Sequence, residues 1–341
     1  MSVRLFARAR EWIRTPLVLA CAAPCAAVSA GAQVITRVVL DNDAFNFWQP
    51  PAQRADREYS QGTRLDLLHA GDSRLARRLL GGGAQCRPEP MPAPRVRAAT
   101  RDCRLVSVAL QQAIYTPTLS AVRRRPGERP FAGWFGVEAG MLRESTRSMR
   151  AFAVALGVTG RPSLAESSQK AVHEFFGFQA PQGWELQLPT EVTMMASYRG
   201  AHDLLHLGHP HAGGLQLVAA PVWAVRAGTL VTDASGGVQV ALGIRPPLPW
   251  RETGRDLAGG WGMYVAAGAT QSIVARNLFL DGSTFGPSER VPRHVTVGTT
   301  ELAIGVRGPR AVMEWRVHSR GREYAGQPMA HAYSTLALTV H

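Results

Sequence analysis

The chain has little cysteine: four residues in 341, of which Cys21 and Cys25 lie near the N-terminus and Cys86 and Cys103 further on. Cys86 and Cys103 lack the spacing of a metal site, which argues against a zinc-stabilised module. Long apolar runs are also missing. Beyond residue 32 none reaches the roughly 20 residues a membrane-spanning helix needs, so no helical transmembrane domain is expected. The basic residues lack interleaved aromatics and are dispersed. That argues against a nucleic-acid groove despite a formal net charge of +13. No Gly-x-Ser-x-Gly elbow surrounds Ser60, so a serine-hydrolase reading there is weak.

What is present begins with an export signal. Arg4, Arg8, Arg10 and Arg14 form a basic start, Leu17 to Val28 is a short apolar stretch, and Ala30-Gly31-Ala32 reads as a small-residue cleavage site. Residues 1–32 are therefore expected to be a signal peptide and 33–341 one large domain. The signal carries four Arg and one Glu, so the remainder holds a net charge of about +10. In an exported chain such charge points to anionic envelope lipids or polysaccharide. Cys86 and Cys103 would then meet an oxidising compartment, where a disulfide is expected.

Period-two alternation dominates the rest. Val238, Val240, Leu242 and Ile244 alternate with Gln239, Ala241 and Gly243. Leu302, Ile304 and Val306 alternate with Glu301, Ala303, Gly305 and Arg307, and Met313, Trp315 and Val317 with Glu314, Arg316 and His318. Each describes a strand with one apolar face and one small or charged face. Repeated charge on the second face is awkward for a soluble sandwich but natural in a membrane barrel with a polar interior. The pattern predicts an all-β fold: a closed antiparallel transmembrane barrel with strands beginning near residues 34, 63, 105, 133, 151, 191, 215, 238, 262, 295, 311 and 334. Closure is required because open sheet edges cannot be solvated in a bilayer.

One short helix interrupts these strands, in an extracellular loop. Between Gly157 and Gly177, Ser163 and Glu166 have capping-box spacing and Gly177 is a plausible stop. Gln169 and His173 then stand at i and i+4, on one face. Such a helix is either a mounted catalytic group or a surface helix with an incidental His. With a periplasmic N-terminus, the loops after strands 1, 3 and 5 lie at one rim. They carry Asp41-Asn42-Asp43, Arg123-Arg124-Arg125 and this helix, and Ser60 enters strand 2 at the same level. The acidic-amide triplet is either a set of hard oxygen ligands suited to Ca²⁺ or an ordinary turn. Ser60 is a nucleophile, a ligand, an orienting hydroxyl or a plain strand start. The arginines with Arg129 are a phosphate clamp or a solvated loop. Trp134, Trp184 and Trp315 are interfacial anchors or packing. His202, His206, His209 and His211 read as a solvated periplasmic turn, with a metal tract as the alternative. Residues 71–104, rich in Gly, Pro and Arg, have no assigned role.

An ordered set of segments resembles the lipid A 3′-O-deacylase family of outer-membrane barrels. It comprises Asp41-Asn42-Asp43, Asp56-Arg-Glu-Tyr-Ser60-Gln-Gly62, Gln112-Ala-Ile-Tyr115-Thr-Pro117, Arg129-Pro-Phe-Ala-Gly133-Trp, Gly157 through Gln169 to His173, Pro181-Gln-Gly183-Trp184-x-x-Gln187 and Arg322-Glu-Tyr-Ala-Gly-Gln327. The resemblance implies a twelve-stranded barrel in the outer membrane of a Gram-negative bacterium. It implies Ca²⁺-dependent hydrolysis of the 3′-linked acyloxyacyl ester of lipid A in lipopolysaccharide, by a monomer. By the same resemblance His173 is the general base, Gln169, Asn42 and Ser60 are further active-site residues, Asp43 is a metal ligand and Arg123 meets the lipid head group. Ser60 stands where the family has Thr, Val122 where it has Lys, and Gln179 where it has Glu. The alternatives are a phospholipase or other envelope-lipid esterase, and a catalytically silent pore or structural barrel.

Overall fold

A computed structural model describes residues 34–43, 46, 57–70, 78, 84–85, 103–117, 127–145, 147–177, 181–208, 214–251 and 260–341. The expected signal peptide and Arg123 lie outside these residues. Twelve strands build the wall: β1 (Val34–Asn42), β2 (Glu58–Ala70), β3 (Cys103–Thr116), β4 (Ala132–Glu144), β5 (Ser148–Thr159), β6 (Val192–His202), β7 (Leu215–Gly228), β8 (Val231–Ile244), β9 (Gly262–Asn277), β10 (Thr296–Arg307), β11 (Ala311–Arg320) and β12 (His331–Val340). Each pairs antiparallel with the next, and β1 pairs with β12 from Thr36↔Val340 to Asn42↔Ser334, which closes the barrel. Strand lengths run from 9 to 16 residues, enough to cross a hydrocarbon core when tilted.

Two short stretches add to this sheet. Leu205–Leu207 pairs with β7, and Ala84–Gln85 lies parallel to Cys103–Arg104. Cys103 is disulfide-bonded, and Cys86 lies outside the described residues.

The alternation sets what faces the lipid. Leu302 is 66 % exposed and Met313 62 %, while Glu301, Glu314 and Arg316 on the other face meet inside. There Arg316 pairs with both carboxylates, Gln239 Nε2 donates to Glu301 at 3.0 Å and Tyr264 OH to Glu314 at 2.7 Å. Arg64 similarly bridges Asp66 and Glu138. These pairs form a charged belt midway along the lumen. Below it, at the expected periplasmic end, Ile35, Leu68, Leu105, Leu142, Met149, Val218 and Trp250 pack into an apolar floor. Above it lie rings from the opposite end, Tyr115 stacked on Phe279 at 4.2 Å and Tyr59 against Tyr115 and Tyr333.

Most strand starts fall within three residues of expectation. β2 begins five residues early, at Glu58, and β8 seven early, at Val231. The Thr-Asp-Ala-Ser-Gly-Gly run at 232–237 has low strand propensity, and pairing with β7 and β9 on both sides overrides it.

Candidate functional site

The site lies at the rim formed by the loops after β1, β3 and β5, as strand parity predicts. Which side of the wall it occupies follows from alternation. On β3, Leu105 and Ala109 are buried and Tyr115 meets the interior Phe279, while Val108 and Leu110 face outward. Gln112, Ile114 and Thr116 share the parity of Val108, so they belong to the membrane-facing side. On β4, Gly133 shares the outward parity of Val137, which is 47 % exposed.

Ile114 is nonetheless completely buried, because a cap sits on it. Helix α1 (Ala165–Phe176) packs there, and Ala165, Trp184, Phe131 and Ile114 form one apolar cluster. Gly133 makes this seat possible: a Cβ at that position would stand 2.2 Å from both Ala165 Cβ and Ser163 Oγ. Gln112 Nε2 donates to Ser163 O at 2.8 Å and ties the helix entrance to β3.

The capping box does not form. Arg161–Ser163 is a 3-10 turn with Pro162 inside it, and Leu164, at φ 58°, occupies the cap position. Ser163 Oγ donates back to Gly160 O at 2.6 Å, and Glu166 instead accepts from Lys170 at 2.5 Å. The proline turn rotates Ser163 away from the helix axis. Gly177 ends the helix as expected, at φ 72° with its N–H on Glu174 O.

Gln169 is 2 % exposed, and its Oε1 accepts the indole N–H of Trp184 at 2.9 Å. This partner was not visible in the sequence. Because Trp184 is packed against the wall, the face carrying Gln169 turns towards the wall as well. His173, one turn further along that face, is half-buried. The helix thus rests on the wall through Ala165 and Gln169, while Ser167, Lys170, Ala171, Glu174 and Phe175 are exposed.

Ser60 turns to the same outward side of the wall by a local irregularity. Tyr59 pairs with Tyr115 and Gln61 with Ile114, so Ser60 is an extra residue in β2, a β-bulge. Tyr59 and Gly62 both point inward, since a Cβ on Gly62 would strike the Tyr59 hydroxyl. Ser60 and Gln61 between them therefore both fall outward, which is how a bulge re-aims a side chain. Ser60 Oγ lies 2.5 Å from Thr116 Oγ1, and both residues are buried. Thr116 is a site residue that sequence reasoning did not assign; it stands inside the quoted Tyr115-Thr-Pro117 segment.

Asn42 ends β1 opposite Gln61, and the Asp43 N–H donates to Ser60 O at 3.2 Å. Asp43 is 2 % exposed, and its Oδ2 accepts the Arg57 N–H at 3.1 Å. Asp41 belongs to a different environment. It faces the lumen and accepts from Tyr59 OH at 2.7 Å and Thr335 Oγ1 at 2.6 Å. The triplet therefore divides: Asp41 braces the interior, and Asn42 and Asp43 adjoin Ser60.

Other expected features resolve differently. Arg129 is neither a phosphate clamp nor a solvated loop residue: it is fully buried, with Nη1 3.1 Å from Glu58 and 3.5 Å from Glu323. Glu323 also pairs with Arg320 at 2.9 Å. Burial pushes the Glu323 carboxyl up, but the Arg320 and Arg129 guanidiniums outweigh it and hold the group below the usual carboxylate range. Trp134 and Trp184 are packing residues, not interfacial anchors. Trp134 donates to Thr193 Oγ1 at 2.8 Å inside the lumen, and Trp184 is covered beneath α1. His202 bonds Asp203 O and His206 bonds Gln216, and His209 and His211 lie outside the described residues.

Hard oxygen donors gather at Asn42, Asp43 and Ser60, a donor set of the kind Ca²⁺ takes. Among the described residues no three His, Cys, Asp or Glu side chains assemble as a metal cluster. Any cation held here would rest on the Asp43 carboxylate and neutral oxygens.

Comparison with known proteins agrees with the barrel fold. The chain aligns over 90 % of its length, and 99 % of the other, with the structure of LpxR from Salmonella typhimurium, at TM-score 0.67 and 17 % identity. The β domain of the Bordetella autotransporter BrkA covers 91 % of this chain and 99 % of its own, at 10 % identity and TM-score 0.41. No curated protein sequence matches. The model of the outer membrane protein LpxR family matches residues 15–341, and the chain belongs to that family.

Proposed function

We propose that this protein hydrolyses the 3′-linked acyloxyacyl ester of lipid A from within the outer leaflet of the outer membrane. One observation carries the reading. Ser60 and Thr116 lie on the outward side of the wall and not in the lumen, and the helix that carries Gln169 and His173 packs on that same side. An ester at the junction of sugar and acyl chain reaches that side without leaving the bilayer. Membership of the LpxR family supports the same substrate.

In this reading His173 takes a proton from water as that water attacks the ester carbonyl, a role an imidazole fills near neutral pH. Gln169, locked by its bond to the Trp184 indole, fixes the helix face that presents His173. Ser60 and Asn42 offer a hydroxyl and an amide to the oxygen that gains charge. Asp43 would hold Ca²⁺, which when bound supplies a positive charge beside the ester. With one carboxylate, that cation would bind weakly, in the ~10⁻⁴–10⁻³ M range typical of low-charge extracellular sites. Arg123 would meet a phosphate of the head group. A closed barrel leaves no open edge within one chain, consistent with a monomer. Among the described residues an apolar cluster and a belt of ion pairs cross the lumen, which weighs against a pore.

The test is to incubate the refolded barrel in detergent with lipid A, or separately with phospholipid, in millimolar Ca²⁺ or in chelator. Loss of one acyloxyacyl unit from lipid A, in Ca²⁺ only, is the expected outcome. Release of fatty acid from phospholipid with intact lipid A would replace the reading by a phospholipase.

A further inference from the structure

Ser60 is presented by a bulge, and the wall behind that bulge is braced from the lumen side by a buried ion cluster. Glu58, two residues before Ser60, has φ 61°, the left-handed region that a non-glycine residue occupies only when its surroundings hold it there. Arg129 supplies the hold. Its Nη1 lies 3.1 Å from Glu58 Oε2, while Tyr324 OH donates to Glu58 Oε1 at 2.9 Å. The same guanidinium lies over the Tyr115 ring, 4.5 Å from its centroid. Tyr115 immediately precedes Thr116, whose hydroxyl is the partner of Ser60. Arg129 therefore grips both strands one or two residues from the two hydroxyls, from the opposite side of the wall.

The far end of the grip is also fixed. Glu323 takes Arg129 at 3.5 Å and Arg320 at 2.9 Å, and its N–H donates to Gln327 Oε1 at 2.6 Å. His331 Nε2 lies 3.0 Å from Tyr59 O, the carbonyl directly before the bulged residue. The loop after β11 is thus locked to the backbone that carries Ser60. Both carboxylates are met by Nη1 while the planar guanidinium lies over the Tyr115 ring, and an ammonium at the same place keeps the charge but loses that planar stacking.

We infer that Arg129 is a positioning residue for the membrane-facing site: through Glu58 and Tyr115 it sets the β2 bulge and so the place of the Ser60 hydroxyl against Thr116. The inference rests on the reading of Ser60 as part of an ester-hydrolysing site.

Its test is a double-mutant cycle on lipid A hydrolysis, with folding checked by heat-modifiable migration of the barrel. Arg129→Lys and Ser60→Ala are each expected to lower kcat about tenfold with KM little changed, and the double variant to lose no more than either alone, since residues acting as a unit are non-additive. Glu58→Gln, which keeps an acceptor for Tyr324, is expected to give a smaller loss and serves if Arg129→Lys does not fold. A measurement independent of activity separates this inference from the proposed function. The thiol of a Ser60→Cys variant should change its alkylation rate severalfold when Arg129→Lys or Glu58→Gln is added. Additive losses in kcat, or an unchanged alkylation rate in folded barrels, would overturn it. If the wild type leaves lipid A intact, the proposed function falls, and the alkylation rates still decide whether Arg129 positions residue 60.

Discussion

The two ends of this barrel differ in how far buried charge takes the place of apolar packing. At the floor, Ile35, Leu105, Val218 and Trp250 form an apolar cluster and are almost completely buried, with Arg104 and Glu144 also buried at that end. At the outer rim, Arg129, Glu58, Glu323, Gln169 and Asp43 are equally buried. Apolar packing closes a lumen at lower free-energy cost than buried charge, which is retained only with full pairing. The rim uses the costlier chemistry because it must hold polar side chains in fixed places on its membrane-facing side.

The sharpest way to break this contrast is to remove the proposed base. His173→Ala should lower kcat roughly 10²–10⁴-fold, the usual worth of a general base, with barrel folding intact. Loss of the seat for α1 comes next. Gly133→Val would drive a side chain into Ala165 and Ser163, where even a Cβ comes within 2.2 Å, and should lower kcat/KM about a hundredfold with unaltered heat-modifiability. The opposite result is expected at the floor. Trp250→Ala should destabilise the barrel by about 3–5 kcal/mol in a denaturant titration and leave kcat unchanged.

The smallest effect concerns pH. Because the Glu323 carboxyl lies below its unfolded value of 4.5, its contribution to the rim is complete above that value and is lost as pH falls through the folded value. Between pH 8 and 5 this group should contribute no change. As pH falls below 4.5 and through the folded value, the loop after β11 should become open to an acid protease while the floor stays protected. Glu323→Gln should remove this acid step. Equal sensitivity at both ends would mean that the rim cluster is not a separate structural unit.

Much of this was legible in the sequence. A lumen-and-lipid division follows from alternation, so Leu302, Glu301 and their neighbours announce their faces without any tertiary information. Rim placement of Asn42, Asp43, Ser60 and the helix needs only strand parity. The capping box failed because the proline at 162 imposes a tight turn, which outranks a favourable Ser–Glu spacing. Arg129 was misread for a different reason. Its partners, Glu58 and Glu323, are 71 and 194 residues away, and no local pattern marks a lone arginine as buried. The same holds for the Gln169–Trp184 bond. A clue to the bulge was absent too, since Tyr-Ser-Gln reads as regular strand, and only the unequal pairing on β3 reveals the extra residue.

The most direct test of the account compares wild type and His173→Ala in one experiment: mass spectrometry of lipid A after incubation with each folded barrel in detergent and Ca²⁺. The account predicts loss of one acyloxyacyl unit with the wild type and unchanged lipid A with the variant. Equal loss with both would contradict it, since the helix on the membrane-facing wall would then carry no base.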